Sequence, residues 1–149
     1  MSGLNTSSEI VSYAGLAPLV LCLLGVALLP DYAARELAQR IAIAYGAVVL
    51  AFIGAVHWGL ALAGHLSWSP VRIGGSILPA VFGTLATVLG GQRGLGLLAI
   101  SFGVFWLYEH KKVGSELPAT YLSLRRNLSL VACLLLSITM ILSDAAGLV

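Results

Sequence analysis

The sequence predicts an all-α integral membrane protein, a bundle of five transmembrane helices in a single domain that covers residues 1–149. Hydrophobic residues make up 59% of the chain and charged residues 9%, whereas roughly a quarter of the residues in soluble domains are charged. The apolar residues gather in stretches close to the ~20 residues that a helix needs to cross a bilayer. No Asp, Glu, Lys or Arg lies inside these stretches, as expected where a central charge costs about 3 kcal/mol.

The predicted spans are residues 10–29, 41–63, 73–89, 94–108 and 128–142. Pro30 closes the first span, and the second is the clearest. The fourth is short, so four spans with one surface helix is the alternative. The fifth is expected to begin earlier, near Ala119, as a helix that emerges through the lipid head groups.

The positive charges predict the orientation of the bundle. With five spans, one side holds the N-terminus together with Arg72, Lys111, Lys112, Arg125 and Arg126, and the other side holds Arg35, Arg40 and Arg93. Because cytoplasmic loops carry an excess of Lys and Arg, this distribution favours a cytoplasmic N-terminus. The first nine residues contain no Lys or Arg, which argues against a signal or transit peptide. We therefore expect a multi-pass protein of the bacterial inner (cytoplasmic) membrane.

Composition also restricts the partners. The net charge of +2 and the absence of a basic stripe argue against binding to nucleic acid. The expected partners are the lipid bilayer and other membrane-protein subunits. Cys22 and Cys133 both lie in apolar stretches and are interpreted as packing residues rather than as a disulfide. The glycines of GGQRGLG (residues 90–96) are interpreted as the turn between the third and fourth spans.

The second span has two narrow faces. Small residues recur every four positions along one of them, at Ala47, Ala51, Ala55, Gly59 and Ala63. On the other face, Gly54 and Ala61 flank His57. Small side chains let membrane helices approach closely, so this helix is expected to be central and contacted all round.

His57 has two interpretations. The first is a neutral packing residue that forms a hydrogen bond with a neighbouring helix. The second is a functional residue, as a metal ligand, a proton relay or a ligand contact. Its neighbour Trp58 is interpreted as an aromatic-belt residue. Pro18 and Pro79 would bend their spans, and neighbouring helices are expected to satisfy the carbonyls that they free.

With five spans, most of the polar residues that could take part in chemistry lie in the half of the membrane that holds His57. The residues concerned are Tyr13, His65, Trp68, Tyr108, Glu109 and His110. None shows paired metal-ligand spacing, and the adjacent Glu109 and His110 point about 100° apart on a helix. No metal site and no cofactor are therefore predicted. Tyr121, Arg125 and Arg126 are interpreted as interfacial anchors, with a head-group or partner contact as the alternative.

Four stretches occur along the chain in the order YAGLAPLVLCLLG, AYGAVVLAFIGAVHWG, SILPAVFGTLATVLG and YLSLRRNLSLVACLLL. Together they resemble a bacterial family of unknown function that includes the mitochondrial inner-membrane protein transmembrane protein 69. The matching positions in the second stretch are Tyr45, Phe52, Gly54, His57, Trp58 and Gly59. Ala51 replaces a usual serine, and Leu19 follows Pro18 where phenylalanine is usual. The resemblance implies a small polytopic protein in which arginine can replace His57, which argues against a strict metal-ligand role.

The sequence favours a non-enzymatic accessory subunit or assembly factor of a larger membrane complex, with a respiratory complex as the first candidate. The alternative is a protein that binds or transports a hydrophobic small molecule such as a quinone, a porphyrin or a lipid. An enzyme would use His57 with Glu109, His110 or Tyr45, but Tyr45 lies about 18 Å away along the helix. No catalytic residue is assigned. The candidate functional or packing residues are Tyr45, Gly54, His57, Trp58, Gly59, Pro18, Pro79, Glu109, His110 and Arg125.

Overall fold

The computed structural model describes residues 6–148, with side chains from residue 9 onward, and all its regular structure in that range is α-helical. The helices are α1 (Thr6–Ala14), α2 (Ala17–Leu28), α3 (Tyr32–Leu62), α4 (Pro70–Leu89), α5 (Gly91–Lys112) and α6 (Ala119–Ala145). Together, α1 and α2 form one interrupted helix. The predicted absence of a targeting signal rests in part on residues 1–5, which lie outside the described residues.

Four stretches of the described chain are long and apolar enough to cross a membrane, namely Glu9–Leu28, Tyr32–Leu62, Pro70–Leu89 and Ala119–Ala145. These helices identify a multi-pass membrane protein. The 22-residue helix α5 is long enough but is not among the four, because polar residues occupy both of its ends. The count of four agrees with the alternative of four spans, while α5 packs against α3, α4 and α6 and buries Leu95, Leu98 and Phe102.

Local capping extends two helices beyond their predicted starts. The Asp31 side chain accepts a hydrogen bond from Ala34 N (3.0 Å), so α3 begins nine residues before the predicted position 41. The Ser69 hydroxyl accepts from Arg72 N (3.3 Å), and Pro70 occupies the first turn of α4. The loops are therefore shorter, and the helices longer, than hydropathy alone indicates.

The turn predicted over residues 90–96 is wrong in extent. Gly90 (φ 62°) and Gly91 (φ 50°) adopt the left-handed conformation that glycine tolerates, and they reverse the chain between α4 and α5. Gly94 already lies within α5, where a Cβ would meet the Ala86 carbonyl oxygen at 2.5 Å. It serves close packing between the two helices rather than the turn.

The helix α3 is central but is not contacted on all sides. It contacts α2, α4, α5 and α6, and its buried face includes Leu50, Gly54 and His57. The expectation that it is contacted all round is wrong for the later part of the small-residue face, because Ala55 and Gly59 are exposed and a Cβ on Gly59 would meet nothing within 4 Å. The earlier part of that face is packed, since Ala47 is buried against Gly83 of α4.

The two helix-breaking prolines are accommodated differently. Near Pro18, Leu19 N bonds to Leu16 O (3.0 Å) instead of Gly15 O, and the Tyr45 hydroxyl of α3 donates to the Gly15 carbonyl at 2.6 Å. A neighbouring helix therefore satisfies the Gly15 carbonyl, which the break between α1 and α2 leaves open. Pro18 itself lies in the first turn of α2, where its missing N–H is not needed. Pro79 is buried in α4, where it packs against Gly54 and lines a cavity between α4 and α5.

Replacing Tyr45 by Phe removes the hydroxyl that satisfies Gly15. We expect the free energy of unfolding to fall by about 1 kcal/mol, the typical size of a hydrogen bond between membrane helices. Thermal unfolding of the purified chain in detergent micelles measures the change. The matched control is Tyr13→Phe, at a tyrosine that is 44% exposed. Equal melting temperatures for the two variants would show that the Gly15 contact contributes nothing.

The cysteines behave as predicted. Cys22 and Cys133 are both free thiols, and Cys22 is buried in the main hydrophobic core. The Cys133 thiol donates to the Ala99 carbonyl at 3.3 Å. They pack between helices and form no disulfide.

Candidate functional site: a buried His57–Glu109–Arg125 cluster

Three ionisable side chains meet between α3, α5 and α6, and we call them the ion cluster. His57 Nε2 lies 3.4 Å from Glu109 Oε1. The Arg125 Nε group donates to both carboxylate oxygens of Glu109, at 3.4 Å and 3.3 Å. Glu109 is 1% exposed and His57 4%, and the Arg125 side chain is 12% exposed. The carboxylate is therefore the centre of the cluster and is closed off from solvent.

Helix periodicity brings Glu109 into the interior. Phe102, Phe105 and Glu109 follow one another at spacings of three and four residues and are all buried on one face of α5. On α6, Arg125 precedes the buried Ser129 by four residues and therefore lies above it on the same face. The predicted spans stopped at residue 108 and began at residue 128, so both charged residues were placed at the membrane boundary. Both helices continue past these residues: α5 ends at Lys112, and α6 begins at Ala119, which confirms its expected early start.

The imidazole of His57 lies between a backbone carbonyl, the Glu109 carboxylate and two aromatic rings. Nδ1 lies 3.3 Å from the Ile53 carbonyl oxygen one turn back on α3, while Nε2 faces Glu109 but has no hydrogen-bond partner among the described residues. The Phe105 ring meets the imidazole edge-on at a centroid distance of 5.4 Å, and the Tyr108 ring lies at 6.4 Å.

The burial of Glu109 requires that its negative charge be compensated within the protein. An ionised carboxylate removed from solvent must be compensated by an opposite charge or by hydrogen bonds, since an unpaired one is strongly destabilising. Arg125 provides the compensating charge for Glu109, and His57 adds a second polar contact. The cluster thereby joins three helices that are far apart in sequence. The arrangement can fix the relative positions of α3, α5 and α6.

A second ion pair covers the same end of the bundle. The Arg72 guanidinium binds the Glu116 carboxylate and also donates to Ser67 O (2.8 Å), which links the α3–α4 loop to the α5–α6 loop. Arg72 and His57 line the same small void. Sequence reasoning missed the pair between Arg72 and Glu116, because Arg72 in the first turn of α4 and Glu116 in the α5–α6 loop lie 44 positions apart and no local pattern connects them.

Several sequence candidates lie outside the ion cluster. Trp58 is 44% exposed and meets Trp68 edge-on at a centroid distance of 6.2 Å, consistent with an aromatic-belt position. His110 is exposed and stacks on Trp106 at 5.9 Å. The expected divergence of His110 from the buried Glu109 is confirmed. Tyr45, Pro18 and Gly59 do not contact the cluster, so the structure brings together only three of the polar candidates.

Two cavities flank α3. One lies between α4 and α5, has a volume of about 470 Å³ and is lined almost entirely by apolar groups. The other is a groove of about 500 Å³ between α1, α3 and α6, and we call it the α1–α3–α6 groove. Arg125 and Tyr121 line one end of this groove. Within residues 6–148, no group of three or more His, Cys, Asp or Glu side chains is arranged to hold a metal ion.

Replacing His57 by Ala tests its contribution to packing. The buried carboxylate keeps its contact with Arg125, so the chain should still insert and fold. We expect a loss of about 1 kcal/mol in the free energy of unfolding, typical of a lost polar contact in a membrane bundle. The measurement is thermal unfolding in micelles, with the exposed His110→Ala as the control. A loss as large as that caused by removing Arg125 would show that His57 carries part of the charge compensation.

The fold and the site together define an all-α, multi-pass membrane protein with a buried ion cluster at one end of its helix bundle. The chain belongs to the DUF3429 family, described as a protein of unknown function, whose pattern matches residues 5–141. No curated protein matches the chain. No solved structure matches it either.

Proposed function

We propose that this protein is a non-enzymatic accessory subunit or assembly factor of a larger inner-membrane complex, with a respiratory complex as the first candidate. The observation that carries the proposal is the outward small-residue face of α3. Ala55, Gly59 and Ala63 are exposed there, and a Cβ on Gly59 would meet nothing within 4 Å. In a bilayer, helices associate through close packing of such small residues. A helix of a partner subunit can therefore approach α3 at this face.

The distribution of polar groups supports the same proposal. The ionisable residues of the cluster are turned inward, and Glu109 is used to bind Arg125. The arrangement joins helices of the chain to one another, and large apolar side chains such as Val48, Phe52 and Val88 are exposed on the outer surface of the membrane helices. Such a surface suits contact with lipid and with other membrane subunits.

The test uses extraction in a mild detergent, native gels and identification of co-purifying proteins. We expect the chain in a heavy assembly, and Gly59→Leu should reduce co-purification while the isolated variant remains stable. The control is Gly103→Leu, at a glycine of α5 where a Cβ also meets nothing within 4 Å. Recovery only as a free monomer, or equal effects of the two substitutions, would contradict the proposal.

We further propose that α5 crosses the membrane as a fifth span and that the N-terminus is cytoplasmic in a bacterial inner membrane. The antiparallel packing of α5 between α4 and α6 supports five spans, and the excess of Lys and Arg at the N-terminal end supports the orientation. The relation to mitochondrial transmembrane protein 69 belongs to the same proposal, because it rests on the sequence resemblance.

Cysteine labelling from each side of the membrane tests the crossing of α5. In a chain whose Cys22 and Cys133 are replaced by Ala, we place single cysteines at the exposed positions Arg93→Cys and Ser115→Cys. A membrane-impermeant reagent should reach position 115 from the cytoplasmic side and position 93 from the opposite side. Labelling of both positions from one side would contradict a fifth span.

The second candidate function is the binding or transport of a hydrophobic small molecule such as a quinone, a porphyrin or a lipid. The apolar cavity between α4 and α5 favours it, since its volume of about 470 Å³ lies within the usual range of ~300–1,000 Å³ for ligand sites. Gly75 and Tyr108 both line this cavity, and Gly75 lies directly against the Tyr108 ring. Reproducible co-purification of one such molecule, lost on Leu78→Trp, would support this function, whereas empty preparations would contradict it.

A further inference from the structure

We propose that the α1–α3–α6 groove binds one phospholipid with an anionic head group. Its phosphate is held at the end lined by Arg125 and Tyr121, and an acyl chain lies along the apolar remainder of the groove. This site is separate from the cavity between α4 and α5. The inference does not rest on the proposed function, because it concerns the isolated chain and its lipid.

The groove has the dimensions of an amphiphile site. On α6 it extends from Tyr121 to Ala132, a rise of about 16 Å at 1.5 Å per residue. Its volume of about 500 Å³ is that of a small-molecule site. Val48 and Phe52 line it on α3 and are 65% and 69% exposed, so the groove opens sideways, where lipid chains can enter.

The polarity of the groove changes along its length. The end near the start of α6 carries a guanidinium and a phenol, from Arg125 and Tyr121. The deeper part on α6 is lined by Leu128 and Ala132, with the Ser129 hydroxyl as its one polar group on that helix. Tyr45 also lines the deeper part of the groove. Its hydroxyl is occupied by the hydrogen bond to Gly15 O, so only its apolar ring can contact a ligand. A molecule with a charged head and an apolar tail matches this order of groups.

Arg125 is built to present donors to the groove. Both of its contacts with Glu109 use Nε, and the residue also lines the groove, so the terminal Nη groups are the part directed away from the carboxylate. A guanidinium binds phosphate through pairs of parallel N–H donors. The side chain is 12% exposed, so it is held by its surroundings rather than free to move with the solvent.

Charge at this end of the bundle selects an anionic head group. The described residues there provide the cations Arg72, Lys111, Lys112, Arg125 and Arg126 and the carboxylates Glu9, Glu109 and Glu116. Five cations against three carboxylates leave two positive charges in excess. Each basic residue near a membrane surface attracts anionic lipid by about 1 kcal/mol. A zwitterionic lipid of the same chain length lacks the net charge that this surface favours.

The experiment is native mass spectrometry of the full chain in detergent, titrated with phosphatidylglycerol or with phosphatidylcholine of identical acyl chains. We expect one phosphatidylglycerol per chain, bound about fivefold more tightly than phosphatidylcholine. Val48→Trp fills the groove and should weaken binding of both lipids at least about tenfold. Val88→Trp is the matched control, because Val88 is 77% exposed on α4 and lies outside the groove.

The head-group contact is tested with the double variant Glu109→Gln/Arg125→Gln, which removes both charges together. It should bind both lipids more weakly, because both carry the phosphate that Arg125 contacts. It should keep the preference for phosphatidylglycerol, because two positive charges remain in excess at this end of the bundle. If this variant fails to fold, the two lipids and the two tryptophan variants still decide the outcome. Equal affinity for both lipids, unchanged binding by Val48→Trp, or competition by glycerol phosphate without acyl chains would overturn the proposal. So would a dimer of the chain that Val48→Trp dissociates.

Discussion

Arg125→Gln is expected to lower the free energy of unfolding by about 3–5 kcal/mol, the range found when one partner of a buried ion pair is removed. The substitution leaves the Glu109 carboxylate, which is 1% exposed, with only His57 as a polar contact. A glutamine at position 125 is polar but uncharged and cannot compensate for a buried negative charge. Thermal or denaturant unfolding in detergent micelles measures the loss.

Two further variants separate this effect from a general effect of changing an arginine on α6. Arg126→Gln, at the exposed neighbouring position, should change stability by less than about 0.5 kcal/mol. Glu109→Gln combined with Arg125→Gln should recover most of the stability lost by Arg125→Gln alone, because no unpaired charge remains. Similar losses for Arg125→Gln and Arg126→Gln, or no recovery in the double variant, would contradict the assigned role of the ion cluster.

The ion cluster shows where hydropathy reasoning succeeds and where it stops. The apolar stretches and the alternation of helix direction were sufficient to predict that His57, Tyr108 and Glu109 share one end of the bundle, and the structure places them together. Hydropathy places a helix boundary wherever charge begins, so it ended the fourth span before Glu109. A charge that is paired inside the bundle does not end a helix, and the pairing partner on α6 lies 16 residues away.

The face of α3 used for packing was not predictable from the chain alone. Gly54 and Gly59 belong to two narrow faces of one helix, and either face would permit close approach. Which face packs depends on the shape of the neighbouring helix. In this protein α4 carries the complementary surface, because Pro79 and the Ser76 carbonyl lie against Gly54. At the other end of the same contact, Gly83 lies against Ala47. These complements belong to distant sequence, so the periodicity of one span does not reveal them.

Gly54→Leu is the second substitution expected to have a large effect. A Cβ at position 54 would lie 2.6 Å from the Ser76 carbonyl oxygen and 3.0 Å from Pro79 Cγ. The first of these atoms belongs to the α4 backbone, so α3 and α4 must separate to accommodate a side chain. Overpacking a buried site typically costs about 1–3 kcal/mol, and a full leucine at a backbone contact is expected at or above the top of that range.

Gly59→Leu is the matched control, since it makes the same change one and a half turns later on the same helix. A Cβ there meets nothing within 4 Å, and leucine has a higher helix propensity than glycine. The free energy of unfolding of the control should therefore lie within about 0.5 kcal/mol of that of the unmodified chain, or slightly above it. The difference in melting temperature between the two variants, measured in the same micelles, reports the packing of α3 against α4. Equal melting temperatures of the two variants would show that Gly54 is not in close contact with α4. The described packing of α4 against the face of α3 that carries His57 would then be wrong.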